Sequence, residues 1–132
     1  MEIRVTKENV RVPVSVMHVN GKIDSLSYQQ FQESAEELIS DGTRYVVIDL
    51  AEAPFVSSAG LRAFHKIFNT LRAIHRDVDD DLLQKKMSTG SYKSPYLKVT
   101  NLSEEVRKVF ELGGFDTYIE TFLDVKEALA SF

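Results

Sequence analysis

Apolar residues along the chain follow two different periods. Segments rich in apolar, β-branched residues predict five strands, at residues 3–7, 10–19, 45–50, 96–99 and 117–122. Between the later strands, apolar residues recur every three or four positions, which predicts helices beginning near Ser27, Ser57, Ser103 and Asp124. At the first of these helices, the pair of Ser27 and Gln30 predicts a capping box.

The order of these elements predicts the fold class. The first two strands should form an antiparallel hairpin, because a short polar turn separates them, and helices and strands alternate afterwards. Residues 45–50 are apolar on both strand faces apart from Asp49, as expected of a buried central strand. The sequence therefore predicts an α/β fold, a single domain over residues 1–132 with a mixed, mostly parallel sheet and helices packed on it.

The segment from about 75 to 95 differs from its surroundings. It contains runs of Asp and of Ser, Thr and Gly, and few apolar residues. We interpret it as a long mobile loop, a flexible insert in the domain. A loop of about twenty residues is uncommon in a compact domain and requires an explanation.

Composition excludes several functional classes. The 132 residues carry 16 basic and 20 acidic side chains, a net charge of −4, and no basic cluster, so nucleic-acid binding is not expected. The absence of Cys excludes disulfides and thiolate metal sites. Apolar runs are too short for a membrane span, and the first residues do not form a signal peptide, so direct membrane insertion is not expected and a cytoplasmic protein is the simplest interpretation.

Enzymatic and cofactor motifs are also missing. The spacing of the glycines fits neither of the common phosphate-binding loops, and the three histidines are too far apart to share a metal ion. Asp77, Asp79 and Asp81 resemble the start of a calcium loop, but Leu82 stands where that loop needs Gly and Ser88 where it needs Glu. No enzymatic activity, cofactor or metal is therefore expected.

The most informative chemistry lies at Ser57 and Ser58, where the loop after the central strand meets a helix. A serine-hydrolase elbow is not expected, because Val56 replaces the first glycine and the last histidine, His75, ends the same helix. One interpretation is a helix cap, since a serine there accepts a hydrogen bond from a free backbone N–H. The other is a reversible phosphorylation site, because a helix N-terminus tolerates a phosphate.

Three segments form a recognisable pattern. They are Asp49-Leu50 with residues 54–62 (Pro-Phe-Val-Ser-Ser-Ala-Gly-Leu-Arg), residues 21–24 (Gly-Lys-Ile-Asp), and residues 97–115. The pattern resembles that of STAS domains, and most of all that of the bacterial anti-sigma factor antagonists. The resemblance covers roughly residues 1–74 and 96–132, and the family fold agrees with the order of elements predicted above.

The resemblance implies a partner-switching function. Such proteins bind an anti-sigma factor, a serine kinase of the histidine-kinase-like ATPase type, while one serine is unphosphorylated, and a phosphatase resets the switch. The family's acceptor aligns with Ser58, and Ser57, which stands where Asp is frequent, is a second candidate acceptor. The resemblance assigns partner contact to Asp24, Ser57, Ser58, Ala59, Gly60 and Arg62.

A second function stays open at this point. Stand-alone STAS domains also occur as accessory subunits of ABC-type lipid transport complexes, where the serine helix contacts an ATPase without phosphorylation. In that case Ser58 would be only part of a helix start. The insert at 75–95 also departs from the family pattern, which has a tight turn there.

Overall fold

Five strands form one mixed sheet in the computed structural model, which describes residues 1–77 and 79–132. The strands are β1 (Glu2–Asn9), β2 (Pro13–Asn20), β3 (Val46–Glu52), β4 (Leu97–Thr100) and β5 (Glu120–Phe122). They lie in sequence order, β1-β2-β3-β4-β5. β1 and β2 pair antiparallel, and every later pair is parallel, which confirms the predicted hairpin and the mixed, mostly parallel sheet.

The helices lie on both faces of this sheet. They are α1 (Tyr28–Ser40), α2 (Ser58–Ile74), α3 (Asp80–Ser88), α4 (Glu104–Leu112) and α5 (Val125–Ala130), with a 3-10 helix at Phe115–Thr117. Buried side chains of α1 to α4 share one core with one face of β2, β3 and β4, whereas α5 packs on the other face. Across residues 1–77 and 79–132, the helices lack the length and apolar character that crossing a membrane requires.

The larger core fixes α2 against the sheet. Phe64 contacts Phe31 of α1 and Phe110 of α4, with ring centroids 4.9 and 5.2 Å apart, and all three side chains are fully buried. Ile48 of β3 lies in the same core. Burying each large apolar side chain contributes roughly 1.5–3 kcal/mol, so α2 is held along most of its length.

The prediction of a structureless loop over 75–95 is wrong, because the segment contains α3. Asp79 caps this helix by accepting a hydrogen bond from the Leu82 N–H at 2.8 Å, acidic residues occupy its first turn and lysines its last, and Leu83 is buried. The scarcity of apolar residues concealed the helix, since Leu83 and the half-buried Met87 suffice to attach it to the core. Mobility of the segment stays a prediction.

Two local predictions also change. Ser27 precedes α1 as predicted, but its hydroxyl donates to the Lys22 carbonyl and the Gln30 side chain donates to the Met1 carbonyl, so the capping box is wrong. The last strand begins only at Glu120, because the residues after Gly114, which has a φ of 74°, first form the 3-10 helix. The first error arises because the contact of Gln30 with Met1 competes with a local capping pattern.

Candidate functional site

The start of α2 is placed by an extension of the pairing between β2 and β3. Beyond the strand ends, the Ile23 N–H donates to the Phe55 carbonyl and the Ser57 N–H donates to the Ile23 carbonyl, both at 2.9 Å. Ile23 and Val56 form an isolated parallel bridge in this extension, and both are fully buried. The backbone of residues 21–24 therefore lies directly beside Ser57.

The two serines differ in their surroundings. Ser57 is the cap of α2: its backbone is extended and its Oγ accepts a hydrogen bond from the Gly60 N–H at 3.3 Å. Ser58 is the first residue of the helix, and its side chain is exposed. Within the part of the chain that the structure describes, no hydrogen bond engages the Ser58 hydroxyl. The helix cap predicted from sequence is confirmed, and it is formed by Ser57.

Gly60 allows α2 to approach the neighbouring turn closely. A Cβ atom at this position would lie 2.6 Å from the Ile23 carbonyl oxygen and 2.8 Å from a methyl carbon of Val56. Neither atom belongs to the end of a flexible side chain, so any side chain here requires the backbone to move. Gly60 and Ala59 are both buried, so they lie beneath the exposed surface of the site and offer little surface to a partner.

Asp24 stabilises the turn that leads from Ile23 into α1. Its Oδ1 accepts hydrogen bonds from the Leu26 N–H at 3.0 Å and from the Ser27 N–H and hydroxyl, each at 3.2 Å. The hydrogen bond from the Leu26 N–H is the main reason that the pKa of Asp24 lies below its ordinary value. The carboxylate that the resemblance assigned to partner contact thus also holds the turn beside Ser57.

The exposed surface of the site combines polar and apolar groups. Ser58 and Arg62 are both exposed on α2, one helical turn apart, and Leu26 on the neighbouring turn is 94% exposed. Leu26 was not predicted as a functional residue. The sequence did contain a signal for this exposed apolar side chain. Leu26 is the one apolar residue between Asp24 and Ser27, and this short segment has neither the strand nor the helix pattern of apolar residues.

A polar cluster fixes the end of β3 that leads into the site. Asp49 accepts hydrogen bonds from the Asn101 amide at 2.8 Å and the Ala51 N–H at 3.1 Å, and it contacts His18 Nδ1 at 2.7 Å. Burial raises the pKa of Asp49, but the hydrogen bonds from Asn101, His18 and Ala51 outweigh burial and hold this pKa below its ordinary value. Asn101 adopts a φ of 59° to reach the carboxylate.

The structure brings the predicted site residues together only in part. The Asp24 turn, Ser57 and Ser58 meet at the start of α2, Arg62 is exposed one turn later, and Ala59 and Gly60 lie beneath. Their contact with a partner stays a prediction. Over residues 1–77 and 79–132, no three His, Cys, Asp or Glu side chains converge in a way that could hold a metal ion.

Comparison with known proteins agrees with this geometry. BtrV of Bordetella bronchiseptica, which is named as an anti-sigma factor antagonist, is 27% identical over 97 residues, covering 74% of this chain and 67% of BtrV. The structure of an anti-sigma factor antagonist from Mycobacterium paratuberculosis superimposes with a TM-score of 0.70 at 20% identity, covering 98% of this chain and 93% of the other.

A further solved structure has a similar fold. The Bacillus cell fate determinant SpoIIAA, in its phosphorylated form, matches with a TM-score of 0.61 at 17% identity, covering 96% of this chain and 97% of SpoIIAA. At this identity the likeness concerns the fold. The model of the STAS domain family matches residues 4–78, which include most of β1, the strands β2 and β3, the Asp24 turn and the whole of α1 and α2. The chain therefore belongs to the STAS domain family, as its sequence pattern predicted.

Proposed function

We propose that this protein is a partner-switching regulator of the anti-sigma factor antagonist kind. In the cytoplasm it binds an anti-sigma factor that is also a serine kinase of the histidine-kinase-like ATPase type, while Ser58 is unphosphorylated. The kinase transfers the γ-phosphoryl group of ATP to Ser58. An Oγ–P bond forms, ADP leaves, and the hydroxyl proton passes to a base on the kinase. The modified protein is released, and a phosphatase hydrolyses the phosphoserine. The protein has no catalytic role of its own in this cycle.

The difference between Ser57 and Ser58 carries the proposal. Ser58 is exposed, and its hydroxyl is not engaged by any described residue, whereas Ser57 uses its hydroxyl to cap α2. A kinase can therefore reach Ser58 without disturbing a hydrogen bond, whereas the Ser57 hydroxyl is already held by its hydrogen bond with the Gly60 N–H. Ser58 is thus the acceptor, and Ser57 supports it.

The rigid surroundings of Ser58 favour a switch that acts on the surface. The backbone hydrogen bond from Ser57 to Ile23 and the tight approach at Gly60 hold the start of α2 in place. A phosphate adds a charge of about −1.5 to −2 at a helix start, where an anion is tolerated. Phosphorylation would then change what the surface binds and leave the fold intact.

The test compares four forms of the protein as baits in the native cell, with captured proteins identified by mass spectrometry. Wild type and Ser58→Ala should both capture a kinase of the ATPase type, and Ser58→Asp should lower that capture at least about tenfold, because a negative charge introduced into an interface that fits a neutral serine costs more than about 1.4 kcal/mol. Ser40→Asp makes the same charge change on an exposed serine at the end of α1 and should bind like wild type.

Two results would overturn the proposal. Equal capture of the kinase by Ser58→Asp and wild type would show that Ser58 is not the switch. Capture of an ABC-type ATPase by every bait would instead identify an accessory subunit of a lipid transport complex, with Ser58 serving only the start of the helix.

A further inference from the structure

Arg62 has a conspicuous position relative to Ser58. The two residues are four apart on α2, both side chains are exposed, and Ser58 is nearer the helix start. Side chains four apart on a helix lie about 5–6 Å from each other at Cβ, and an anion placed N-terminal to a cation is the favourable order. Ser58 and Arg62 are therefore neighbours on the helix surface.

Among residues 1–77 and 79–132, Arg62 takes part in none of the ion pairs that the structure shows. Helix α2 contains no Asp or Glu. The ion pairs found among residues 1–77 and 79–132 are His18–Asp49, Arg72–Asp80 and Lys98–Glu120. Arg62 is absent from these pairs, so an anion arriving on Ser58 would not have to displace one.

We propose that Arg62 is the internal counter-ion of the phosphate on Ser58. This inference rests on the proposed function, because it concerns the phosphorylated form. A guanidinium presents paired N–H donors that match two phosphate oxygens, so the contact is charge-assisted and directional. The phosphate then lies along α2 toward Arg62.

The other charged groups near Ser58 are less suited to this role. Lys66 is eight residues away along α2, about 12 Å of helix rise, and so lies beyond the reach of the phosphate. On the neighbouring turn, Asp24 is an anion whose carboxylate its own turn already holds, and it repels a phosphate. Lys22 on the same turn is a cation beside Asp24, and the test must separate its effect from that of Arg62.

Pairing with Arg62 changes which charge the surface offers to a partner. Before phosphorylation, Ser58 is neutral and the positive charge of Arg62 is available to an acidic group of a partner. Afterwards the surface carries the phosphate, and Arg62 is occupied. The local charge changes from +1 to about −1, so a partner that uses an acidic group here loses an attraction and meets a repulsion together.

The test uses the full chain with phosphoserine placed at position 58 during translation, and it follows the phosphate by phosphorus NMR through a pH titration. A nearby cation favours the doubly charged phosphate and lowers its second pKa. Arg62→Gln should therefore raise that pKa by about 0.3 pH units at low salt, and the difference should vanish near 1 M salt. Lys66→Gln is the matched control and should titrate like wild type.

The outcomes separate this inference from the proposed function. Identical titrations of wild type and Arg62→Gln, or a larger effect from Lys22→Gln, would overturn the role of Arg62. Because the phosphate is introduced without the kinase, a failure of the cell to phosphorylate Ser58 would overturn only the proposed function.

Discussion

The two ends of α2 are held in different ways. At its start, backbone contacts fix the helix: the Ser57 N–H donates to the Ile23 carbonyl, and Gly60 lets the two segments approach. At its end, contacts between side chains hold the helix in place. The His75 ring stacks on Tyr96 with centroids 3.7 Å apart, and its Nε2–H donates to the Arg44 carbonyl at 2.7 Å.

The insert adds further side-chain contacts at the second end. Arg72 pairs with Asp80 of α3 at 2.8 Å, and the Tyr92 hydroxyl donates to Asp77. Tyr92 is buried against Phe68 of α2, with ring centroids 6.0 Å apart. This contrast between backbone and side-chain contacts indicates which kind of change each end of α2 tolerates. Backbone contacts hold the start of α2 while its outer surface stays exposed, whereas side-chain contacts let the other end carry an extra helix.

The largest expected effect is at the first end. Gly60→Ala places a Cβ atom 2.6 Å from the Ile23 carbonyl, so we expect the free energy of unfolding to fall by about 3 kcal/mol, measured by urea denaturation. Ser58→Ala is the control two residues earlier, where the side chain is exposed, and should change stability by less than about 0.5 kcal/mol. Wild-type stability of Gly60→Ala would show that the start of α2 is not held by this close approach.

A smaller effect is expected at the second end. Leu83→Ala removes the buried anchor of α3 and should lower the free energy of unfolding by about 2 kcal/mol, since the cavity lies near the surface and can partly close. Leu82→Ala changes the adjacent residue, which is 42% exposed, and should cost less than about 1 kcal/mol.

The same pair of variants also tests whether the two ends are independent. Hydrogen exchange at the first turn of α2 should be unchanged in Leu83→Ala. Faster exchange at Gly60 in that variant would contradict a separation between the two ends.

The smallest effects are expected from removing the side-chain caps of α2 and α3. Ser57 accepts from the Gly60 N–H at 3.3 Å, and Asp79 accepts from the Leu82 N–H at 2.8 Å. Removing either by Ala should cost about 1 kcal/mol. Asp79→Ala should speed exchange throughout α3, because few other contacts hold it. Ser57→Ala should speed exchange only at Gly60, because the backbone bond to Ile23 remains.

A conservative replacement of Asp79 should restore the cap of α3. Asp79→Ser keeps a capping oxygen and should restore most of the protection in α3. If Ser57→Ala released the whole first turn of α2, the side-chain cap rather than the backbone contact would hold the site, and the contrast between the two ends would fail.

Much of the fold could be predicted from local patterns. The hairpin, the buried β3 and the helix starts at Ser57, Ser103 and Asp124 follow from apolar periodicity and from capping residues, which act within a few positions along the chain. The α3 helix escaped prediction because its apolar stripe is too narrow to stand out. Its cap at Asp79 was present in the sequence, but it was interpreted as part of an acidic loop.

The sequence by itself determined the order of the five strands and of the helices other than α3 and the 3-10 helix, the serine pair at the start of α2 and the family pattern, because periodicity, capping residues and short motifs are local properties. The tertiary structure alone decided which serine hydroxyl caps α2, why residue 60 must be glycine, and that the Asp24 carboxylate stabilises the turn beside Ser57. These features depend on the approach of Ile23 to α2, and contacts between segments distant along the chain leave no periodic signal in either one.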